Sequence, residues 1–213
     1  MRLVSVQVGL PRTLRGAGKE WRSAFGKLPV AGEVRALRDG LEGDGQENRV
    51  YHGGAEMAAL AYGAAAYPRW REELSWPALK PGDFAENLSV EGASEGEVCI
   101  GDVWQAGSAR LQVSSPRNPC VKIGRFHDRP ELTALVEQSG RTGWYLRVLE
   151  EGVLQAGQGI SLLARPHPEW TVLRAFRTAR ARKEEPALAA GLAQVAALSP
   201  RWLALLRGEP ARV

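Results

Sequence analysis

Val4, Val6 and Val8 alternate with Ser5 and Gln7, and Ala109, Leu111 and Val113 alternate with Arg110, Gln112 and Ser114. A period of two marks strands with one buried face. Apolar stretches at 98–100, 103–105, 145–149 and 160–163 predict more strands, and Gly101-Asp102 and Gly157-Gln158-Gly159 read as turns between them. Two helices interrupt the series. One covers about 64–74. The other opens at Pro130, a good first-turn residue, buries Leu132, Leu135 and Val136, and stops near Gly140. Many short strands with few helices predict a mainly β fold, a β-barrel or strongly bent sheet. The stretch 12–27, rich in glycine and arginine, fits no element of this pattern.

After Pro166 the pattern changes. Trp170, Leu173 and Phe176 recur every three residues, and Leu188, Leu192, Val195 and Leu198 follow a helical spacing. Ser199-Pro200 reads as an N-cap followed by proline at the first helical position, ahead of Trp202, Leu203, Leu205 and Leu206. The expected organisation is therefore a β-barrel domain over residues 1–164 and a small three-helix unit over 165–213. So short a unit has little core of its own, so it is expected to pack on the barrel or on a second subunit, as in a homodimer.

The 213 residues are 44% apolar and 24% charged, as in an ordinary globular protein. The net charge of +4 is uneven: from Arg165 onward nine cations face four anions. Arg174, Arg177 and Arg180 fall near one helical face, which is expected to be a solvated face rather than a nucleic-acid site. Two cysteines, not spaced as CxxC, provide no disulfide framework and point to a reducing compartment. The first residues alternate and lack a signal peptide's apolar block, and no run approaches the ~18 apolar residues of a membrane helix. The expected location is cytoplasmic.

Cys120 lies in Ser115-Pro116-Arg117-Asn118-Pro119-Cys120-Val121-Lys122. The two prolines stiffen the backbone and remove two N–H donors. Arg117 and Lys122 bring positive charge, which favours a thiolate. Such a thiolate serves as a nucleophile or a soft-metal ligand, although a free cysteine also commonly just fills space. Cys99 lies on an apolar stretch and reads as structural.

Gly40-Leu41-Glu42-Gly43-Asp44 and His52-Gly53-Gly54 are glycine-rich clusters that either let backbone N–H groups approach a ligand or simply form turns. Asn87, in Phe84-Ala85-Glu86-Asn87-Leu88-Ser89, suits heterocycle recognition or turn chemistry equally. Zinc spacings, a Walker loop, a Rossmann fingerprint and a nucleophile elbow are not found.

The order of these clusters, with Ile100-Gly101-Asp102 and Gly140-Arg141-Thr142-Gly143-Trp144-Tyr145, resembles the MOSC family, the molybdenum-cofactor-sulfurase C-terminal domain, in its stand-alone YiiM-like branch. The resemblance covers about residues 1–164, and the C-terminal helices resemble the unit that follows the barrel in that branch. It implies a barrel carrying a molybdenum–pterin cofactor, with Cys120 as the protein's metal ligand and catalytic residue. By the same resemblance Arg117, Asn118 and Lys122 would face the cofactor's phosphate and anionic centre. His52, Gly53, Gly54 and Asn87 would hold its pterin edge and phosphate. The implied activity is reduction of N-hydroxylated compounds to amines. The cofactor supplies the redox chemistry and a separate reductase supplies the electrons. A basic tail is a candidate surface for an acidic reductase. A second reading, a sulfur carrier holding a persulfide on Cys120, draws on the same thiolate-favouring surroundings.

Overall fold

The structure, a computed structural model, describes residues 1–16, 18–48 and 52–209. The chain opens with β1 (Arg2–Val8), the hairpin β2 (Arg12–Gly16) and β3 (Lys19–Ser23), then β4 (Leu28–Pro29), β5 (Val34–Leu37) and β6 (Gly40–Leu41). A short 3-10 helix (Ala55–Met57) leads into β7 (Ala59–Gly63), α1 (Ala66–Glu73), β8 (Leu88–Glu91), β9 (Val103–Ala106) and β10 (Ala109–Pro116). After α2 (Lys122–Phe126) and α3 (Leu132–Ser139) come β11 (Trp144–Glu150), β12 (Gly152–Leu154) and β13 (Ile160–Ala164). The chain continues through α4 (Val172–Arg180), α5 (Pro186–Leu192) and α6 (Pro200–Arg207).

Eight strands form one sheet in the order β13-β9-β10-β11-β7-β8-β1-β4, antiparallel throughout except for the parallel pair β7 and β8. The sheet curls so that the start of β13 and the turn before it hydrogen-bond to the start of β1. Ile160 N–H donates to Met1 O at 2.9 Å, Leu3 N–H to Gln158 O at 2.9 Å and Gly157 N–H to Leu3 O at 2.7 Å. The expected β-barrel is thus a strongly curled sheet forming a half-barrel. Alternation places Ala109, Leu111 and Val113 of β10 and Trp144, Leu146 and Val148 of β11 in the core. Each of the buried Leu and Val side chains contributes about 1.5–3 kcal/mol by leaving water.

Most predicted elements are present, with four differences. Strand β1 does not bury the Val4, Val6 and Val8 face: the pairing with β8 shifts register between Leu3 and Ser5, so Leu3, Val6 and Gln7 are buried, Val8 is half-buried and Val4 is exposed. Residues 98–100 are not a strand: only Cys99 makes a bridge, to Thr171. This apolar run is buried in a turn, where Asp102 Oδ2 accepts from Cys99 N–H at 3.0 Å and Ile100 N–H donates to Trp170 O at 2.9 Å. Leu135 is half-buried, not core like Leu132 and Val136. Helix α5 ends at Leu192, so Val195 and Leu198 reach the core from a loop. The stretch 12–27 forms the β2–β3 hairpin and the segment leading to β4.

Helix α3 stops at Gly140, whose φ of 73° is left-handed; an added Cβ would also lie 2.3 Å from Leu173 Cδ1. Helix α4 starts at Thr171, whose side chain accepts from Arg174 N–H at 3.1 Å. Trp170, Val172, Phe176, Leu192, Val195, Leu198 and Trp202 belong to the same buried cluster as the inner strands. Ser199 N–H donates to Ser114 O at 2.9 Å, and Arg147 Nη2 to Ala197 O at 2.8 Å. The C-terminal helices are therefore fastened to β10 and β11. A second cluster, built on Tyr62, Trp70, Phe84, Ile123 and Leu132, fills the space beneath α1, α2 and α3. Among the described residues, no helix is long and apolar enough to cross a membrane.

Candidate functional site

Cys120 occupies the connection between β10 and α2, and that connection is pinned at several points. Arg117 N–H donates to Gly143 O at 3.0 Å, and its Nη1 to Phe84 O at 2.6 Å. Cys120 O accepts from Ile123 N–H at 3.1 Å and from Thr133 Oγ1 at 3.3 Å. With Pro116 and Pro119 restricting φ, the thiol is held on a stiff support.

Cys120 is half-buried and stands on the wall shared by two adjoining cavities, of about 90 and 250 Å³. The inner cavity gathers Lys27, Arg117 and Lys122 with Gly53, Asn87 and Phe25. The outer cavity lies between the Asn118-Pro119-Cys120 segment and the start of α6, with Arg201 and Trp202 on its far side. His52, Met57 and Tyr145 share the dividing wall with Cys120.

The residues singled out from the sequence fall into place unevenly. His52, Gly53, Asn87, Arg117, Cys120 and Lys122 line the inner cavity. Asn118 lines the outer cavity, and Gly54 lines neither. Gly54 serves the backbone: its φ is 79° and its carbonyl accepts from Met57 N–H at 2.9 Å. Gly53, at φ 100°, packs so closely that an added Cβ would lie 2.6 Å from Gln46 Oε1. Asn87 lines the cavity while its amide ties strands together: Oδ1 accepts from Leu60 N–H at 3.0 Å, and Nδ2 donates to Gln7 O at 3.2 Å. Cys99 is 1% exposed and lines neither cavity.

Lys27, Tyr145, Arg201 and Trp202 were not singled out for the site. Lys27 enters from the end of the hairpin segment and forms a buried ion pair with Asp44, whose Oδ1 also accepts from Gly9 N–H at 2.9 Å. The Gly40–Asp44 cluster is thus turn structure that delivers a carboxylate to Lys27. Burial lowers the Lys27 pKa, opposed by the Asp44 charge. Trp21 of β3 lies 5.8 Å from Lys122 Nζ and 5.6 Å from the Arg125 guanidinium, so the hairpin also covers the cationic side of α2.

Burial, followed by the charges of Arg117, Lys122 and Arg201, depresses the His52 pKa to about 4. The imidazole is therefore neutral at pH 7, with one nitrogen donating and one accepting. The unfolded chain binds this proton near pH 6.5, so stability is fully present above that value and falls as the pH drops towards 4. In metal-free protein the loss should be about 2–3 kcal/mol across that window. Urea denaturation at stepped pH measures it, and His52→Gln should flatten the profile.

The donor set favours a particular kind of metal group. Among the described residues no three His, Cys, Asp or Glu side chains cluster as a metal site. One thiol beside the charges of Arg117 and Lys122, with Lys27 already paired to Asp44, suits a metal that brings other soft ligands and negative charge with it. A pterin dithiolene bearing phosphate has that character.

The MOSC domain model matches residues 48–161. The protein YflK of Bacillus subtilis is 44% identical over 163 residues, covering 76% of this chain and 73% of YflK. A Gibberella moniliformis protein named Reductase is 39% identical over 183 residues; the match covers 84% of this chain but 32% of that longer protein. The crystal structure of YiiM from Geobacillus stearothermophilus superposes with a TM-score of 0.83 at 30% identity, covering 97% of each chain. The curled sheet, the motif cysteine in its cleft and these likenesses together place the chain in the MOSC-domain family, among its YiiM-like proteins.

Proposed function

We propose that the cleft binds a molybdenum–pterin cofactor through Cys120 and reduces N-hydroxylated compounds to amines with electrons from a separate reductase. The observation that carries this reading is the position of Cys120, between a cationic inner cavity and an outer cavity. The family's association with the cofactor and the name of the Gibberella relative support it.

The bound cofactor would supply two-electron chemistry at an N–O bond. Overall, R–NH–OH takes up two electrons and two protons and gives R–NH2 and water. Lys27, Arg117 and Lys122 hold the anionic part of the cofactor, each as a charge-assisted donor. The neutral His52 ring donates to or accepts from the pterin edge. Burial raises the Tyr145 pKa, so its phenol stays protonated and can donate to the oxygen of the departing hydroxyl from the dividing wall. Residues 1–164 carry the cysteine and the cations, and 165–213 close the outer side of the cleft and present the basic face to an acidic electron donor.

Lys122→Gln should lower cofactor affinity about tenfold or more while leaving the melting temperature near wild type, because a charge-assisted bond is worth roughly 1.5–3 kcal/mol. Pterin content after gel filtration reads this. Arg117→Gln should lose cofactor and some stability together, since Arg117 also bonds Phe84 O. Unchanged pterin retention in both variants would remove these cations from the site.

A further inference from the structure

Val121 follows Cys120 directly in the chain. It is 69% exposed, the highest figure for a large apolar residue among those described, and it lines neither cavity. The turn that displays it is fixed by its own backbone: Val121 O accepts from Arg125 N–H at 3.1 Å, and Cys120 O from Ile123 N–H at 3.1 Å. One exposed valine is ordinary on a protein surface. What distinguishes this one is its place, bonded to the residue that the reading above makes the metal ligand, and its charged surroundings.

Residues 117–129 carry four cations against one carboxylate, Asp128. Arg125 is half-buried with its guanidinium 5.6 Å from the Trp21 ring, and it pairs with no carboxylate among the described residues. Arg12 is exposed and joins the same side through Gly26. Its Nη2 donates to Gly26 O at 3.3 Å, and a Cβ added at Gly26 would lie 2.9 Å from Phe126 Cζ of α2. An apolar anchor beside unpaired cations fits an acidic protein surface. The arginines of α4 are placed differently. Arg174 lies over Trp170 and donates to Glu169 O at 2.8 Å, and Arg180 pairs with Glu137. With Arg177 they border surface hollows that include no residue of the Cys120 loop.

We propose that an acidic electron-carrier protein docks on the Cys120 loop, with Val121 as its apolar anchor and Arg12 and Arg125 as its charged rim. This rests on the reductase reading above and adds the point at which electrons enter. The basic face of the tail attracts the carrier from a distance, and the loop receives it. Electron-transfer encounters are weak and bury less than about 1,200 Å² in total, so one anchor with a cationic rim is sufficient surface. Docked there, the carrier has a short covalent route through the Val121 and Cys120 backbone to the thiol. Each turnover takes two electrons from the carrier, which is oxidised, and two protons from water. The N–O bond is cleaved, and the amine and water leave.

The test uses a plant-type 2Fe–2S ferredoxin, an acidic one-electron carrier, as the limiting donor. Reduced methyl viologen is the small reductant that needs no docking, and N-methylhydroxylamine is the substrate. Val121→Asp should raise KM for ferredoxin about tenfold or more, because it sets a carboxylate against an acidic partner. Val121→Leu should stay within about twofold of wild type, because the apolar anchor is kept. Arg125→Gln should raise the same KM about threefold and flatten its dependence on salt. All three variants should hold molybdenum and pterin as wild type does and keep wild-type rates with viologen. Ferredoxin binding, followed by calorimetry, should weaken by the same factors as KM rises. Unchanged ferredoxin KM and binding in both Val121→Asp and Arg125→Gln, with viologen activity intact, would overturn the docking site and leave the reductase reading standing. A KM that responds to Arg177→Gln and to neither of these would do the same and move the carrier to α4. Wild type that turns over with viologen and not with ferredoxin would overturn the acidic carrier. Ferredoxin binding that depends on Val121 and Arg125, in loaded protein that reduces nothing with either donor, would keep the docking surface and overturn the reductase reading instead.

Discussion

Cys120→Ser is expected to abolish N-hydroxyl reduction and to leave the fold intact. The substitution replaces a soft sulfur by a hard oxygen of nearly the same shape. A hydroxyl of high pKa is a poor ligand for a metal otherwise held by sulfur. The fold should not register the change. Cys120 is half-buried, and the bonds that hold its loop run through its carbonyl, which accepts from Ile123 and Thr133 whatever the side chain. Cys99→Ser is the internal control. Its thiol is packed near Pro168 O at 3.5 Å and lines neither cavity, so a change there should alter stability and not turnover. Activity of metal-loaded protein and thermal melts of both variants separate the two roles. Wild-type turnover of fully loaded Cys120→Ser would show that the thiol is not the ligand.

The second large effect is expected at Asp44. Its side chain is 1% exposed and that of its partner Lys27 is 7% exposed, so the pair is an ion pair out of water. Asp44→Asn keeps an oxygen for Gly9 N–H and removes only the charge, leaving the Lys27 ammonium buried without its counter-charge. Breaking a buried pair from one side costs about 3–5 kcal/mol. For a chain of this length that corresponds to roughly 6–20 °C in melting temperature. The cost is limited by proton loss from Lys27, whose pKa burial already lowers. In the variant this group binds fewer protons folded than unfolded, so stability rises with pH and the deficit should narrow in alkaline buffer. A double variant with Lys27→Met should regain part of the loss. A single variant within ~1 kcal/mol of wild type at pH 7 would mean that water reaches the pair.

The parts of the fold legible in the sequence are those where packing leaves a periodic trace. In β10 as far as Val113, and in β11, one face is buried and the other is not, and the alternation follows; in β1 the register shift between Leu3 and Ser5 breaks it, so Leu3, Val6 and Gln7 are buried while Val4 is exposed. Strand β7 is buried on both faces and reads Ala-Leu-Ala-Tyr-Gly, with neither alternation nor β-branched residues to mark it. The hairpin of β2 and β3 pairs only with itself and carries charge on both strands, so its pattern resembles a loop. Helix α2 has five residues, too few to display a helical period. The part of the inner cavity lined by His52, Gly53, Asn87, Arg117, Cys120 and Lys122 was legible because those residues sit in short, recognisable clusters. Lys27 and Arg201 were not, because each reaches the site only through the fold: Lys27 through a pair with Asp44 and Arg201 through the fastening of α6 to β10. The apolar spacing of the tail indicated that its helices are covered; that they form one wall of the cleft depends on tertiary contacts that local sequence does not encode.

The central claim is that Cys120 carries a molybdenum–pterin group. Metal and pterin analysis of freshly purified protein from molybdate-replete cells, alongside Cys120→Ser, tests it most directly. The account predicts about one molybdenum and one pterin per wild-type chain, with both sharply reduced in the variant. Wild-type protein that holds transferable sulfane sulfur on Cys120 and no molybdenum would contradict it and identify a sulfur carrier.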